Sequence, residues 1–177
     1  ITLLKTKIRF YFSDAGLLTR KEDPFGNVLT FSYNADNQLT AIRDSLNRTL
    51  TLSYNPANQK IDRITDFTGR SVSYGYDGDD LVAFTDLENN TTRFEYLKNQ
   101  ENALNNHNMS KYVLPNGDYL EIAYYKNDQV AFHRNKKGET FNFHYSRLNR
   151  YGETWNEEGY YRKVFFDEDN NVTRIAN

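Results

Sequence analysis

Residues 66–77 read DFTGRSVSYGYD, and this stretch decides the fold. Its second half alternates strictly, with Val72, Tyr74 and Tyr76 separated by small residues. Alternation with a period of two predicts a β-strand that has one apolar face. The Asp66-x-x-Gly69 segment before it contains residues that favour tight turns, because Asp hydrogen-bonds nearby backbone and Gly accepts a positive φ. The stretch therefore predicts a turn followed by a strand.

The same pattern recurs along the whole chain of 177 residues. The aromatic that ends the strand reappears as Phe12, Tyr33, Tyr54, Tyr76, Tyr96, Tyr124, Tyr145 and Phe166. Successive members are 21, 21, 22, 20, 28, 21 and 21 residues apart, by subtraction of their numbers. A fixed period of this kind is typical of a repeat architecture.

Two series of turn residues follow the same period. Seven residues before the aromatic stand Gly26, Asn47, Gly69, Asn89, Gly117, Gly138 and Gly159. Most of these are preceded, three residues earlier, by Asp23, Asp44, Asp66, Asp86, Asn135 or Asn156, with Leu114 as the exception. Four residues after the aromatic stand Gly16, Asn37, Asn58, Asp80, Asp128, Asn149 and Asn170. Gly, Asn and Asp tolerate positive φ best, so each unit has two predicted turns and hence two strands.

The predicted fold is all-β, built from tandem antiparallel β-hairpin repeats of about 21 residues. Residues 1–177 form a single array of about eight units, with an insertion around 97–111 at a hairpin tip that we expect to be mobile. The aromatic and the residues two and four before it should form three apolar columns on one buried face, while the other face stays polar. A long sheet should twist into a curved strip or spiral.

The repeats resemble the YD/Rhs repeat family over the whole chain. Gly69-Arg70 through Tyr76-Asp77 is the closest unit, and Asn47-Arg48 through Tyr54-Asn55 is similar. Later units diverge: Tyr145 is followed by Ser146, and Phe replaces Tyr at 166. The resemblance implies part of a β-sheet shell, which holds a C-terminal toxin in bacterial Rhs and toxin-complex proteins and belongs to an adhesion receptor in teneurins.

The family resemblance implies a structural segment of a bacterial protein that is secreted or on the cell surface. Its partner would be the remainder of the same polypeptide, including a C-terminal toxin or effector. A start at Ile1 rather than Met fits an expected excised piece of something longer. The alternative is a surface-associated module that binds carbohydrate or a partner protein through repeated aromatics, although their alternation with Ser and Thr favours packing.

Composition and motifs predict no enzyme, cofactor or metal site. The three histidines, His107, His133 and His144, lack metal-ligand spacing and are expected at the surface, and there is no Cys. The recurring Asp residues are explained by turns. A net charge of −2 with interspersed signs indicates no nucleic-acid partner, and the absence of a long apolar run indicates no membrane insertion by this segment.

Overall fold

The computed structural model describes residues 1–3, 5–99, 101 and 103–177. It is all-β, which confirms the predicted fold class, with one short 3₁₀ helix at Ala103–Asn105. The strands are β1 (Thr2–Leu3), β2 (Ile8–Phe12), β3 (Leu18–Glu22), β4 (Val28–Tyr33), β5 (Leu39–Asp44), β6 (Thr49–Tyr54), β7 (Ile61–Thr65), β8 (Ser71–Asp77), β9 (Asp80–Thr85), β10 (Thr91–Tyr96), β11 (Met109–Val113), β12 (Tyr119–Tyr124), β13 (Val130–Asn135), β14 (Thr140–Ser146), β15 (Tyr151–Asn156), β16 (Tyr161–Phe166) and β17 (Val172–Ala176).

The chain divides into two compact units, Ile1–Asn90 and Thr91–Asn177. In the first unit, each strand from β1 to β9 pairs antiparallel with the next. In the second unit, β10 to β17 pair in the same consecutive way. Each unit therefore contains four hairpins of the predicted repeat, and β1 adds a two-residue strand to the first.

The register within each unit aligns the apolar columns on one face, which we call the tyrosine face. Phe31 lies opposite Ile42, and Leu52 lies opposite Ile64. Tyr54 lies opposite Ile61. Because side chains alternate between the two faces of a strand, these pairings keep the apolar residues of successive hairpins on the same side.

The prediction that the tyrosine face is buried is wrong for the described residues, since no hydrophobic side chain among them is fully buried. On the tyrosine face, Leu50 is 37% exposed and Phe12 is 47% exposed. The physical reason is the contact pattern: within each unit, close contacts between described strands join consecutive strands, as expected for one layer rather than two packed layers. A single layer shields its apolar face only laterally, through neighbouring side chains.

The opposite face is polar in the first unit, as expected, apart from Tyr11, but it is aromatic in the second unit. Strands β4, β6 and β8 present Thr and Ser there. In the second unit, Tyr151, Trp155, Tyr161 and Phe165 share that face, because Tyr151 pairs with Phe165 and Trp155 pairs with Tyr161. The prediction of a polar opposite face therefore holds for the first unit, with Tyr11 as an exception, and is wrong for the second unit.

Candidate functional site

The turns that precede the first strand of each repeat have one shared backbone geometry. Every predicted turn residue has a positive φ, which is the left-handed region that Gly and Asn tolerate best. The values are 85° for Gly26, 63° for Asn47, 86° for Gly69, 63° for Asn89, 80° for Gly117, 88° for Gly138 and 93° for Gly159. We call these five-residue segments, each running from the leading Asp or its equivalent, the first turns.

Asp66 shows how a first turn is held together. Its Oδ1 accepts hydrogen bonds from the backbone N–H of Thr68 at 2.8 Å and of Arg70 at 3.1 Å. The N–H of Gly69 donates to the carbonyl of Asp66 at 3.0 Å, which closes the turn. Equivalent pairs of side-chain acceptor bonds occur at Asp23, Asp44, Asp86, Asn135 and Asn156.

These hydrogen bonds favour the ionised carboxylate. The hydroxyl of Thr68 and the guanidinium of Arg70 hold the pKa of Asp66 well below its usual range. Hydrogen bonds from the side chain of Asn27 lower the pKa of Asp23, and those from Arg48 lower the pKa of Asp44. The recurring carboxylates are therefore acceptors in turns at neutral pH and are poorly suited to proton transfer.

The turn that begins at Leu114 lacks the side-chain acceptor yet keeps the backbone geometry. The N–H of Gly117 donates to the carbonyl of Leu114 at 2.9 Å. Asn116 supplies a substitute acceptor, since its Oδ1 accepts the N–H of Asp118 at 3.0 Å. The missing Asp is thus compensated locally.

The turns between the two strands of a hairpin vary more than the sequence indicated. Positive φ occurs at Gly16, Asn37, Asp128 and Asn170, as the spacing predicts. At the other three positions the residue differs, since Gln59, Gly78 and Arg150 have positive φ in place of Asn58, Asp80 and Asn149. The length of the loop decides which residue takes the positive φ. At Gly78, for example, Asp77 pairs with Asp80, which leaves a two-residue turn with Gly at its first position.

A β-bulge lies immediately before the periodic aromatic in seven of the eight described hairpins. In the second repeat the register shifts between Ser32 and Tyr33, so that Tyr33 lies opposite Leu39. The same shift precedes Phe12, Tyr54, Tyr76, Tyr96, Tyr124 and Phe166. The hairpin of Tyr145 pairs without a shift. A bulge leaves one residue of the second strand outside the regular ladder.

The tyrosine of one repeat hydrogen-bonds to this irregular position of the preceding repeat. The hydroxyl of Tyr54 donates to the carbonyl of Leu39 at 2.9 Å, and Leu39 is the residue opposite Tyr33 at its bulge. Tyr33, Tyr76 and Tyr124 make equivalent bonds, each to a carbonyl 15 residues earlier, on Leu18, Ile61 and Met109. The phenol thus links consecutive repeats, a role that the sequence period alone did not indicate.

The periodic aromatics differ in exposure. Phe12 and Tyr145 are exposed, whereas Tyr33, Tyr54, Tyr76, Tyr96, Tyr124 and Phe166 are half-buried. Among the described ring contacts, none joins Tyr54 to Tyr33 or Tyr76, so stacking of successive tyrosine rings is not observed.

One histidine is not placed at the open surface. His133 lies half-buried on the tyrosine face, with ring centroids 5.3 Å from Phe141 and 5.1 Å from Phe143. Burial lowers its pKa. His107 and His144 are exposed. His133 therefore acts as an aromatic packing residue in this sheet.

Glu153 is the centre of a polar cluster on the opposite face of the second unit. Its carboxylate accepts hydrogen bonds from Lys163 Nζ and from the Tyr161 hydroxyl, both at 2.8 Å. His144 Nδ1 lies 3.2 Å away, and Lys163 Nζ lies 3.4 Å from the centroid of the Tyr151 ring. The bonds from Lys163 and Tyr161 lower the pKa of Glu153 to about 2. This carboxylate is an ion-pair acceptor and is not a proton donor at neutral pH.

The insertion extends the hairpin between β10 and β11 and contacts the next hairpin tip. Asn105 Nδ2 donates to the carbonyl of Tyr125 at 3.2 Å. Within the insertion, the N–H of His107 donates to the carbonyl of Leu97 at 3.0 Å. Gln100 and Asn102, which belong to the predicted mobile stretch, lie outside the described residues. Mobility of the insertion stays a prediction.

Neither a metal cluster nor a long apolar helix is found in the part of the chain that the structure describes. No group of three or more His, Asp or Glu side chains there is arranged to hold a metal ion. No described helix has the length and apolarity to cross a membrane.

Part of the chain matches a known family of repeats. The RHS Repeat family model matches residues 12–49 and 33–70, two overlapping segments that share the period described above. Residues 12–70 therefore carry RHS repeats. The matched segments include the first turns at Asp23 and Asp44 and the tyrosine contact from Tyr54 to Leu39. The hairpins after residue 70 keep the same turn geometry.

Solved structures similar to this chain include two assemblies that contain TcdB2 and TccC3. "Crystal Structure of TcdB2-TccC3" shares 12% identity and a TM-score of 0.43, and "Crystal Structure of TcdB2-TccC3-Cdc42" shares 12% identity and a TM-score of 0.40. Each match covers 94% of this chain and 10% of the other. No curated protein matched the sequence.

Proposed function

We propose that the chain is a wall segment of a larger bacterial protein, in which RHS repeats form a β-shell around a C-terminal toxin or effector. The observation that carries this proposal is the half-exposed tyrosine face. Leu50, Phe12 and Tyr145 on that face are 37%, 47% and 38% exposed. Extended apolar surface of this kind is unfavourable in water and is typical of a surface that another part of an assembly covers.

The proposed partner is the remainder of the same polypeptide, because a repeat array gains stability from neighbours on both sides. The terminal strand β17 pairs with β16 alone among the described strands, and its Val172 and Ile175 are 56% and 49% exposed. A further hairpin would pair with this edge and cover those side chains. In this proposal the periodic aromatics and the first turns have structural roles, the segment itself has no catalytic role, and the whole protein is secreted or on the cell surface.

Limited proteolysis of the full-length polypeptide tests encapsulation. We expect the C-terminal domain to resist protease while the repeat region is folded, and to become sensitive when the repeats unfold. The control is the same C-terminal domain expressed alone, which we expect to be cut at least tenfold faster. Equal rates of cutting in the two samples would contradict encapsulation.

A second candidate function is binding of carbohydrate or of a partner protein at the cell surface. It rests on Trp155 and Tyr161, which lie opposite each other on the face away from the periodic tyrosines and are 37% and 43% exposed. Exposed aromatic rings stack on apolar faces of ligands. A glycan panel read with Trp155→Ala tests it: loss of a bound glycan would support this function, and absence of binding by the parent chain would exclude glycan recognition.

A further inference from the structure

The first turn at residues 114–118 is held by fewer hydrogen bonds than the other first turns. Its leading residue, Leu114, has no side-chain acceptor for the N–H groups of the third and fifth residues. No described hydrogen bond holds the N–H of Asn116, and that of Asp118 donates to Asn116 Oδ1 at 3.0 Å. We therefore expect this turn to open more readily than the others.

The other first turns show what the missing acceptor does. The turn that begins at Asp23 also has Pro at its second position, and Asp23 Oδ1 accepts the N–H groups of its third and fifth residues, both at 2.9 Å. In the turn that begins at Asn135, the Asn135 Oδ1 accepts the corresponding two groups at 3.0 Å and 3.1 Å. One acceptor at the leading position therefore fixes both N–H groups, whether it belongs to Asp or to Asn.

The residue that compensates for this loss stands directly before a glycine. Asn116-Gly117 is the only Asn-Gly dipeptide in the chain, and Asn116 is exposed. The third residues of the other first turns carry no amide, and they are Phe25, Leu46, Thr68, Glu88, Lys137 and Glu158. The backbone nitrogen that follows an Asn can attack the side-chain amide, and a following Gly hinders this attack least because it has no Cβ.

The reaction proceeds through a five-membered succinimide ring. The backbone nitrogen of Gly117 bonds to Cγ of Asn116, the bond from Cγ to Nδ2 breaks, and the amide leaves as ammonia with the proton that the Gly117 nitrogen gives up. Water then adds to one of the two ring carbonyls and breaks its bond to the nitrogen, which regains a proton. Opening at Cγ leaves Asp, and opening at the backbone carbonyl leaves isoaspartate.

The closed turn holds both reacting groups. The N–H of Gly117 donates to the carbonyl of Leu114 at 2.9 Å, so the nitrogen is engaged. The amide of Asn116 is bound at both atoms by Asp118, through Oδ1 at 3.0 Å and Nδ2 at 2.9 Å. Attack therefore requires local opening, and its rate follows the population of the open turn.

We propose that Asn116-Gly117 is a site of spontaneous modification, at which the nitrogen of Gly117 displaces the amide of Asn116, and that the missing acceptor at Leu114 sets the rate by letting the turn open. Both products place a carboxylate beside that of Asp118. Isoaspartate also adds one carbon to the backbone. We expect it to weaken the pairing of β11 and β12, because this turn connects the two strands.

Tryptic mapping of the 177-residue chain during incubation at neutral pH tests the proposal. Trypsin releases residues 112–126, in which Asn116 is the only Asn or Gln. We expect this peptide to gain the mass difference between an amide and a carboxylic acid. The matched variant is Leu114→Asn, which restores the acceptor without a charge and should slow the gain about fivefold by keeping the turn closed. The introduced Asn precedes Pro115, which has no N–H and cannot attack in this way.

Two controls separate the turn from the dipeptide. Asn116→Gln should show almost no gain, because a Gln side chain would have to close a slower six-membered ring. In denaturant, the parent and Leu114→Asn chains should react at equal rates, since the turn no longer protects either. Mass is the readout rather than isoaspartate content, because Asp77-Gly78 can form isoaspartate without this change in mass.

A folded parent chain whose peptide 112–126 gains no mass, while the unfolded chain reacts, would overturn the proposal. Equal rates in the folded parent and Leu114→Asn chains would overturn it as well, because the missing acceptor would then not control opening. A difference between the two chains that persists in denaturant would have the same meaning, since it would not come from the turn. Circular dichroism shows that each variant is folded. These outcomes are independent of encapsulation, which is measured on the full-length polypeptide.

Discussion

The hydroxyl of Tyr54 donates a hydrogen bond to the backbone carbonyl of Leu39, 15 residues earlier in the chain, at 2.9 Å. Leu39 lies opposite Tyr33 at the bulge of the preceding hairpin. The phenol therefore satisfies a backbone acceptor at the point where the sheet ladder is irregular. This contact explains why Tyr rather than Phe stands at Tyr33, Tyr54, Tyr76 and Tyr124.

Tyr54→Phe should destabilise the chain by about 1 kcal/mol, because a carbonyl loses one hydrogen-bond donor while the ring is retained. Chemical denaturation monitored by circular dichroism measures the change. Tyr145→Phe is the matched control, since no described hydrogen bond links the Tyr145 hydroxyl to the preceding strand and its hairpin lacks the bulge. We expect that control to change stability by less than about 0.5 kcal/mol. Equal effects of the two substitutions would contradict the role assigned to the hydroxyl.

Gly69→Ala should destabilise the chain by about 1 kcal/mol, because Gly69 has a φ of 86° and an added Cβ strains that conformation. No heavy atom outside its immediate chain neighbours lies within 4 Å of the added Cβ position, so the effect should come from the backbone rather than from a clash. Asn47→Gly at the same turn position, where φ is 63°, is the reciprocal variant and should be neutral or stabilising. If the Gly69→Ala chain were as stable as the parent chain, this turn would not require glycine at the position with positive φ.

The chain should lose stability in acid, and Asp66 should contribute to that loss. Hydrogen bonds from Thr68 and Arg70 depress the folded-state pKa of Asp66 below its ordinary value in an unfolded chain, so its stabilising contribution is present above about pH 4 and is lost as the pH falls through the folded pKa. Melting temperatures between pH 7 and pH 2 measure the loss. Asp66→Asn keeps an acceptor oxygen but cannot titrate, so its melting temperature should fall less steeply below pH 4. Asp14→Asn, at an exposed position outside the first turns, is the control and should follow the parent chain.

The sequence predicted strands and first turns well because both depend on local patterns. Alternation at Val72, Tyr74 and Tyr76 defines one face without reference to the rest of the chain. Gly and Asn seven residues before each aromatic carry the positive φ because few other residues accept it. Local signals of this kind are retained when neighbouring hairpins diverge, as at Leu114.

Other features depend on length or on distant contacts and left no clear pattern. The bulge before Tyr54 follows from the number of residues between Tyr54 and Ile61 and their pairing, not from a residue type. The same is true of the two-residue turn at Gly78. Alternation also shows which side chains share a face, but it does not show whether a second layer covers that face. For this reason the tyrosine face was predicted to be buried, whereas it is half-exposed. The aromatic residues on the face of Trp155 also alternate with other residues in the sequence. The tyrosine column is more regular, however, and the predicted apolar face was therefore based on it.

Thermal unfolding and glycan binding of one variant, Tyr54→Ala, test most directly whether the periodic aromatics hold the repeats together. Tyr54 is half-buried and bonded to Leu39, so we expect a loss of about 2 to 3 kcal/mol, below the cost typical of a fully buried aromatic. Trp155→Ala, on the opposite face, should cost less. The account predicts a marked fall in melting temperature for Tyr54→Ala with no change on a glycan panel. An unchanged melting temperature together with loss of a bound glycan would contradict it.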